Sequence, residues 1–331
     1  MCDEGKNGIR NRNKKERENA RVKDDAYAIQ AFGLTKKFGD LTAVNGVDLS
    51  IKEWELFSLL GPNGAGKTTT INMLCGLLKP TAGTATVMGH DVQKESLAIK
   101  EIMDISPQET AIAAHLNARE NLALICGIYG LSKEETRKRS EELLKLMGLT
   151  KRAKDQVRKF SGGMQRRLSL AMALVSNPQV LFLDEPTLGL DPQARRSVWE
   201  RIAELKGDKT ILLTTHYLEE ADALADRIAI IDEGKIVALG TPQELKNKIS
   251  DKQIMVVKAK NLTAEAIAGL KEMYPEVREI ADGIEIRAKE LSFGRIVDLL
   301  RSKGATIEQI SMRELSLDDV FLHFTGKEMR E

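Results

Sequence analysis

The chain of 331 residues carries 50 Lys+Arg against 49 Asp+Glu, a formal net charge of +1, and is long enough for two domains with separate cores. That balance gives no overall electrostatic reason to expect nucleic acid or an anionic membrane surface as a partner. Three cysteines, Cys2, Cys75 and Cys126, are an odd number without metal-type spacing, which suits a reducing cytosol.

Residues 1–25 are almost wholly polar and are expected to be a disordered tail. AIQAFGLTKKFG and AVNGVDLSIKE then read as antiparallel strands, and ELFSLLG at 55–61 as an apolar strand entering a glycine loop. Residues 118–130 and 133–147 carry helical patterns, with Leu143, Leu144 and Met147 on one face of the second. The run LALICGIYG at 122–130 is too short for the roughly 18–20 residues of a spanning helix, and no hydrophobic signal region opens the chain. Action on a membrane would therefore require a partner.

VLFLDE at 180–185 and TILLTTH at 210–216 are near-continuous apolar runs ending in polar residues. Buried parallel strands with a site at their carboxyl ends look like this. RIAIID–EG–KIVALG at 227–240 reads as a hairpin. Near Ser250 the style changes to strand–helix–hairpin–helix–strand, with an Asp-Gly turn at 282–283, the order of the ferredoxin-like split βαβ pattern. The amphipathic segment SLDDVFLHF closes the chain. The domains expected are 26–248, with a helical insert at about 109–176, and 251–331.

The chemistry begins at Gly61-Pro62-Asn63-Gly64-Ala65-Gly66-Lys67-Thr68, followed by Thr69, which matches the phosphate-loop pattern G-x-x-x-x-G-K-[ST] between a strand and a helix. Its backbone N–H groups can wrap phosphates, Lys67 can reach the β/γ oxygens, and Thr68 can ligate Mg²⁺. Asp184, ending an apolar strand, is the expected magnesium holder, and Glu185 stands where it could polarise a water for attack on the γ-phosphate. His216 ends the next strand on the same sheet edge, which favours a γ-phosphate contact. Together these describe a magnesium-dependent P-loop nucleoside triphosphatase.

KFSGGMQRRLS at 159–169 is a second anion site, with Ser161, Gly162 and Gly163 ahead of a helical run. It implies a second nucleotide per chain or one nucleotide shared between two chains. No second lysine-bearing loop accompanies it, so sharing is the more economical reading.

The ordered set GPNGAGKTT, SPQET, FSGGMQRRL, VLFLDEPTLGLDP and TTH resembles the nucleotide-binding subunit of an ATP-binding cassette (ABC) transporter over residues 27–245. The resemblance implies an ABC-type α/β P-loop fold with an antiparallel β subdomain and a helical insert, followed by the small α+β domain. It further implies ATP with Mg²⁺, a head-to-tail dimer of two copies or with a paired ABC subunit, in which each Ser-Gly-Gly motif closes over the partner's nucleotide, and a membrane permease docked on the helical insert. Such a reciprocal contact suits a twofold dimer. By the same resemblance Phe38 stacks on adenine, although a core phenylalanine is the alternative. Gln108 senses Mg²⁺ and the attacking water, and Asp191 communicates across the dimer. Phe160 and Met164 replace the commoner leucine and glutamine and leave the Ser-Gly-Gly trio intact.

HYLEEADALADRIAIIDEGKIVALGTPQEL and the ending SLDDVFLHFTG resemble ATP-binding subunits of the daunorubicin-resistance type, which pair with a separately encoded permease of the drug, lipid or polysaccharide exporter class. The location implied is the cytoplasmic face of the membrane, held there by the permease. A soluble ABC-type ATPase of ribosomes or DNA is the alternative, against which stand the single cassette and the lack of sustained heptads. A small-molecule kinase would leave the Ser-Gly-Gly motif and His216 unexplained. Cargo specificity is expected to lie in the permease.

Overall fold

The computed structural model describes residues 26–249, 253–313 and 315–327. The polar tail and the expected boundary at Ser250 lie outside the described residues. The chain divides after Val237 into two compact units.

The first unit opens with β1 (Tyr27–Phe38), β2 (Leu41–Lys52) and β3 (Leu56–Leu60), followed by α1 (Lys67–Leu74). Then come β4 (Ala82–Val87), β5 (His90–Asp91), α2 (Ser96–Ile102) and β6 (Met103–Ser106). The helical insert supplies α3 (Ala118–Ile128), α4 (Lys133–Leu146) and α5 (Gly162–Ala173). Beyond it lie β7 (Val180–Asp184), α6 (Pro192–Ala203), β8 (Thr210–Thr215), α7 (Leu218–Leu224), β9 (Arg227–Asp232) and β10 (Lys235–Gly240), within which the division falls.

Two sheets result. One is four-stranded, in the order β2-β1-β4-β5, with antiparallel pairs. The other runs β10-β9-β3-β8-β7-β6, and its neighbours from β9 to β6 are parallel. Strands β3, β7 and β8 are buried along their whole length, as their unbroken apolar runs require. Because β8 lies between β3 and β7, three loops leave adjacent strand ends. These carry the phosphate loop, the acidic pair and His216.

The insert helices start where their side chains can cap them. Asn117 with Glu120, and Ser132 with Glu135, form reciprocal capping boxes. Leu143, Leu144 and Met147 of α4 and its C-cap are buried, as the helical spacing implies.

The second unit contains α8 (Pro242–Ile249), β11 (Gln253–Lys260), α9 (Ala264–Met273), β12 (Glu276–Ile280), β13 (Gly283–Ala288), α10 (Phe293–Ser302), β14 (Thr306–Arg313) and α11 (Leu317–Thr325). Its all-antiparallel sheet, β12-β13-β11-β14, has the ferredoxin-like order. Leu270, Ile296 and Leu300 from the helices meet Val257, Ile284 and Ile286 from the strands in one core. Helix α8 packs on α11, so it belongs with this unit and the division falls ahead of the expected residue 248.

Candidate nucleotide site

The phosphate loop spans Gly61–Thr69, from β3 into α1. Two of its glycines answer a packing need. Gly66 caps α1 at φ 102°, and a Cβ there would lie 2.4 Å from the Ala43 carbonyl oxygen. A Cβ on Gly61 would lie 2.2 Å from the Ile231 carbonyl oxygen. Gly234 clips the loop from outside: its N–H donates to Ala65 O (3.1 Å), and its carbonyl accepts from Asn45 N (2.8 Å). Asn63, Gly64 and Thr68 are exposed, Pro62 and Thr69 half-buried, and Ala65 buried. The first N–H groups of α1 have no intrahelical acceptor, which is the ordinary way a helix start receives an anion.

Lys67 points inward. Its ammonium donates to Gly61 O (2.6 Å) and Pro62 O (3.1 Å), and lies 2.9 Å from Glu185 Oε1. On the other Glu185 oxygen, Oε2, sits His216 Nδ1 at 2.7 Å. All three side chains are less than a tenth exposed. Burial alone would push the Glu185 carboxyl up, but the His216 hydrogen bond and the Lys67 ammonium hold it below its ordinary value. Its backbone is at φ 47°, a costly conformation for a non-glycine residue, and its N–H is held by Thr214 O (3.2 Å) and Thr214 Oγ1 (3.0 Å).

Asp184 receives hydroxyls from two sides. Thr214 Oγ1 donates to its Oδ1 at 2.5 Å, and Thr68 Oγ1 at 3.2 Å. A carboxylate beside a phosphate-loop hydroxyl is a hard-oxygen set that suits Mg²⁺, which takes one or two carboxylates and fills its remaining positions with phosphate and water.

The second anion motif lies at the start of α5. Ser161 is its N-cap, accepting from Met164 N at 3.3 Å, and both Ser161 and Gly162 are exposed. Gly163 is buried against α6: a Cβ would lie 2.9 Å from Ala194 Cβ. Asp191 caps α6 by accepting from Ala194 N (2.9 Å), with Pro192 at the first helical position. Among the described residues no hydrogen bond joins 161–163 to 61–69 of the same chain. Phe38, at the end of β1, is 49% exposed with Lys36 Nζ 5.1 Å from its ring centre, so it is not the core residue of the alternative reading.

One profile, that of the ABC transporter family, matches residues 44–188, and a second, for the C-terminal domain of DrrA1-3-like ATP-binding proteins, matches residues 240–325. Daunorubicin resistance ATP-binding protein DrrA3 of Streptomyces coeruleorubidus is 40% identical over 92% of this chain and 97% of its own. The chain belongs to the ABC transporter ATP-binding subunits, of the DrrA type.

Other members reach similar likeness. Linearmycin resistance ATP-binding protein LnrL of Bacillus subtilis is 37% identical over 92% of this chain and 100% of its own. Nod factor export ATP-binding protein I of Burkholderia orbicola is 39% identical over 92% and 98%. Among solved structures, an ATP-binding subunit of an ABC transporter superposes with TM-score 0.60 at 29% identity, covering 67% of this chain and 93% of that one. A dimeric ATP-binding cassette in a post-hydrolysis state, bound to ADP and Pi, gives 0.58 at 29%, covering 64% and 98%. The chain is thus an ATP-binding, ATP-hydrolysing subunit that works with a membrane transporter. No helix among the described residues is long and apolar enough to cross a membrane.

Three residues of this ABC cassette escape a reading by motif. Thr214 carries no signal beyond its place in TILLTTH, yet it binds both acidic residues. Glu220, fully buried on α7, accepts from Thr187 Oγ1 and Trp199 Nε1, both at 2.8 Å, and burial pushes its carboxyl up against these hydrogen bonds. Arg166, in the signature helix, is 5% exposed and donates to five carbonyls: Pro186 (2.6 Å), Pro107 (2.6 Å), Gln108 (3.0 Å), Asp184 (2.7 Å) and Glu185 (2.6 Å). Burial pulls its guanidinium down, opposed by the charges of Glu220, Asp184 and Glu185. A polar residue three to five places into an amphipathic helix, where a solvated face is the default, gives no hint of burial.

Proposed function

We propose that this subunit powers a separately encoded permease that exports drugs, lipids or other amphiphiles, through head-to-tail homodimerisation around ATP and Mg²⁺. Thr68, Asp184 and Gln108, the last exposed beyond β6, would hold the magnesium. The metal would neutralise charge on the phosphates during transfer. Lys67 binds the β/γ oxygens. Glu185, an ionised carboxylate at neutral pH, accepts a proton from the attacking water, and His216 orients it and touches the γ-phosphate. Phe38 offers its exposed face to adenine. Ser161, Gly162 and Gly163 serve the partner's nucleotide, and Asp191 lies on the loop beside them. The helical insert receives the permease, which keeps the subunit at the cytoplasmic face of the membrane.

The observation that carries this reading is the buried Lys67–Glu185–His216 chain at three adjacent strand ends, next to a hydroxyl–carboxylate pair. Export is supported by relatives named for drug resistance and for Nod factor export. The test is Glu185→Gln in the full chain. ATP binding should persist, turnover should vanish, and size-exclusion chromatography with saturating ATP and Mg²⁺ should show a dimer. A chain that binds ATP yet stays monomeric would remove the shared-site mechanism. Co-purification of a detergent-solubilised permease, rather than ribosomes, checks the partner.

A further inference from the structure

Arg166 stands five residues into the signature segment, on the helix whose N-terminus is offered to a neighbouring subunit. Its side chain nevertheless turns back into its own cassette. A guanidinium has five N–H donor directions in a rigid planar fork. Here those donors serve five main-chain carbonyls in two segments: Pro107 and Gln108 after β6, and Asp184, Glu185 and Pro186 at the end of β7 and just beyond it. Among the described residues no carboxylate takes a direct hydrogen bond from it. A buried cation spent wholly on carbonyls acts as a peg for the backbone rather than as half of an ion pair.

The two segments need such a peg. Glu185 is held at φ 47°, and the peg grips the carbonyls on both sides of it as well as its own. The backbones that carry Glu185 and Gln108 are therefore held from one shared point, and that point rides on α5.

We propose that Arg166 is a positioning residue that couples the two half-sites of one chain, tying Gln108 and Glu185, which act on the chain's own nucleotide, to the helix start that serves the partner's. When Ser161–Gly163 meets a phosphate, the displacement of α5 is delivered by the guanidinium to the loops that align the attacking water. The trans half of this coupling rests on the shared-site reading above; the cis half rests on the hydrogen bonds and on the roles proposed there for Gln108 and Glu185.

Lysine offers one ammonium with three donors and cannot span both segments, while glutamine keeps two donors and no charge. In full-length Arg166→Lys and Arg166→Gln we expect kcat for ATP hydrolysis to fall about 10- to 100-fold, the scale of a misplacement near 1 Å, while ATP affinity changes less than about threefold. In the Glu185→Gln background, Arg166→Lys should also weaken ATP-driven dimerisation about fivefold or more, because the helix start loses its anchor. A folded variant with kcat near wild type overturns the proposal. So does a loss of kcat matched by an equal loss of ATP affinity, and so does failure of both variants to fold, since the residue would then hold the domain together and not the site. If Glu185→Gln alone never dimerises, the shared-site reading falls while the kcat effect of Arg166→Lys still tests the cis coupling.

Discussion

Replacing Thr214 with valine keeps the shape of a fully buried side chain and deletes one hydroxyl. That hydroxyl makes two bonds: it donates to Asp184 Oδ1 at 2.5 Å and accepts from Glu185 N at 3.0 Å. A hydrogen bond to a charged acceptor contributes about 1.5–3 kcal/mol and a neutral one about 1 kcal/mol, so Thr214→Val should cost about 2–4 kcal/mol. Glu185 N keeps only the longer bond to Thr214 O, and its positive-φ backbone loses a support. Both tryptophans, Trp54 and Trp199, lie in the first unit, so fluorescence-detected melting follows that unit. For a unit of this size the expected fall in Tm is about 5–15 °C. ATPase activity measured well below the new Tm should drop as well. A shift under about 2 °C would mean that Asp184 and Glu185 do not depend on this hydroxyl, and the argument from Thr214 would be wrong.

The remaining expectations concern the same strand ends and their neighbours. Glu185 has a depressed carboxyl pKa, so its contribution to stability is present above its ordinary value of 4.5 and is lost as pH falls through the lower folded value. Melting of wild type and Glu185→Gln from pH 7 to pH 3 should show a wild-type advantage that shrinks only below about pH 4.5; a gap constant across the range would refute it. Gly163→Ala should lower stability by about 1–3 kcal/mol, because α6 must yield to the new methyl, whereas Gly162→Ala, facing only the flexible Leu190 side chain, should be near neutral. Equal melting shifts for the two would count against that packing argument. Phe38→Ala should raise the Kd for ATP about 5- to 150-fold with Phe38→Tyr unchanged, as read by isothermal titration; an unaffected alanine variant would leave the ring without a part in stacking.

Much of this protein is legible from spacing alone. The apolar runs ending in Asp184 and Thr215 announce parallel strands, since only strands covered on both faces read as unbroken hydrophobes. The phosphate loop is legible because its glycines meet a steric demand, one that Gly61 and Gly66 show directly. The ferredoxin-like order of the second unit is legible from its strand–helix–hairpin–helix–strand pattern, although the hairpin turns at Ala281–Asp282 and Gly283 already opens the next strand.

What spacing does not carry is long-range side-chain chemistry. Arg166 sits 59 residues from Pro107 and 20 from Pro186, and nothing local separates a buried arginine from a solvated one. Thr214 is one of several small polar residues at strand ends, and its double duty emerges only once β7 and β8 are paired in register, Asp184 beside Thr214. The limit of the first unit is hidden for a similar reason. Helix α8 follows β10 after the single residue Thr241, and its allegiance to α11 depends on packing that no local pattern records.

The Gly234 clip has a practical consequence for anyone recombining such subunits. The turn after β9 touches β2 through Asn45 and the phosphate loop through Ala65, although it follows them by well over a hundred residues. A crossover that brings a residue other than glycine to position 234 will therefore press on Ala43 and disturb the phosphate loop even when every motif is preserved, because a Cβ there would lie 2.9 Å from the Ala43 carbonyl oxygen. Libraries that keep this glycine should yield far more active hybrids than libraries that lose it.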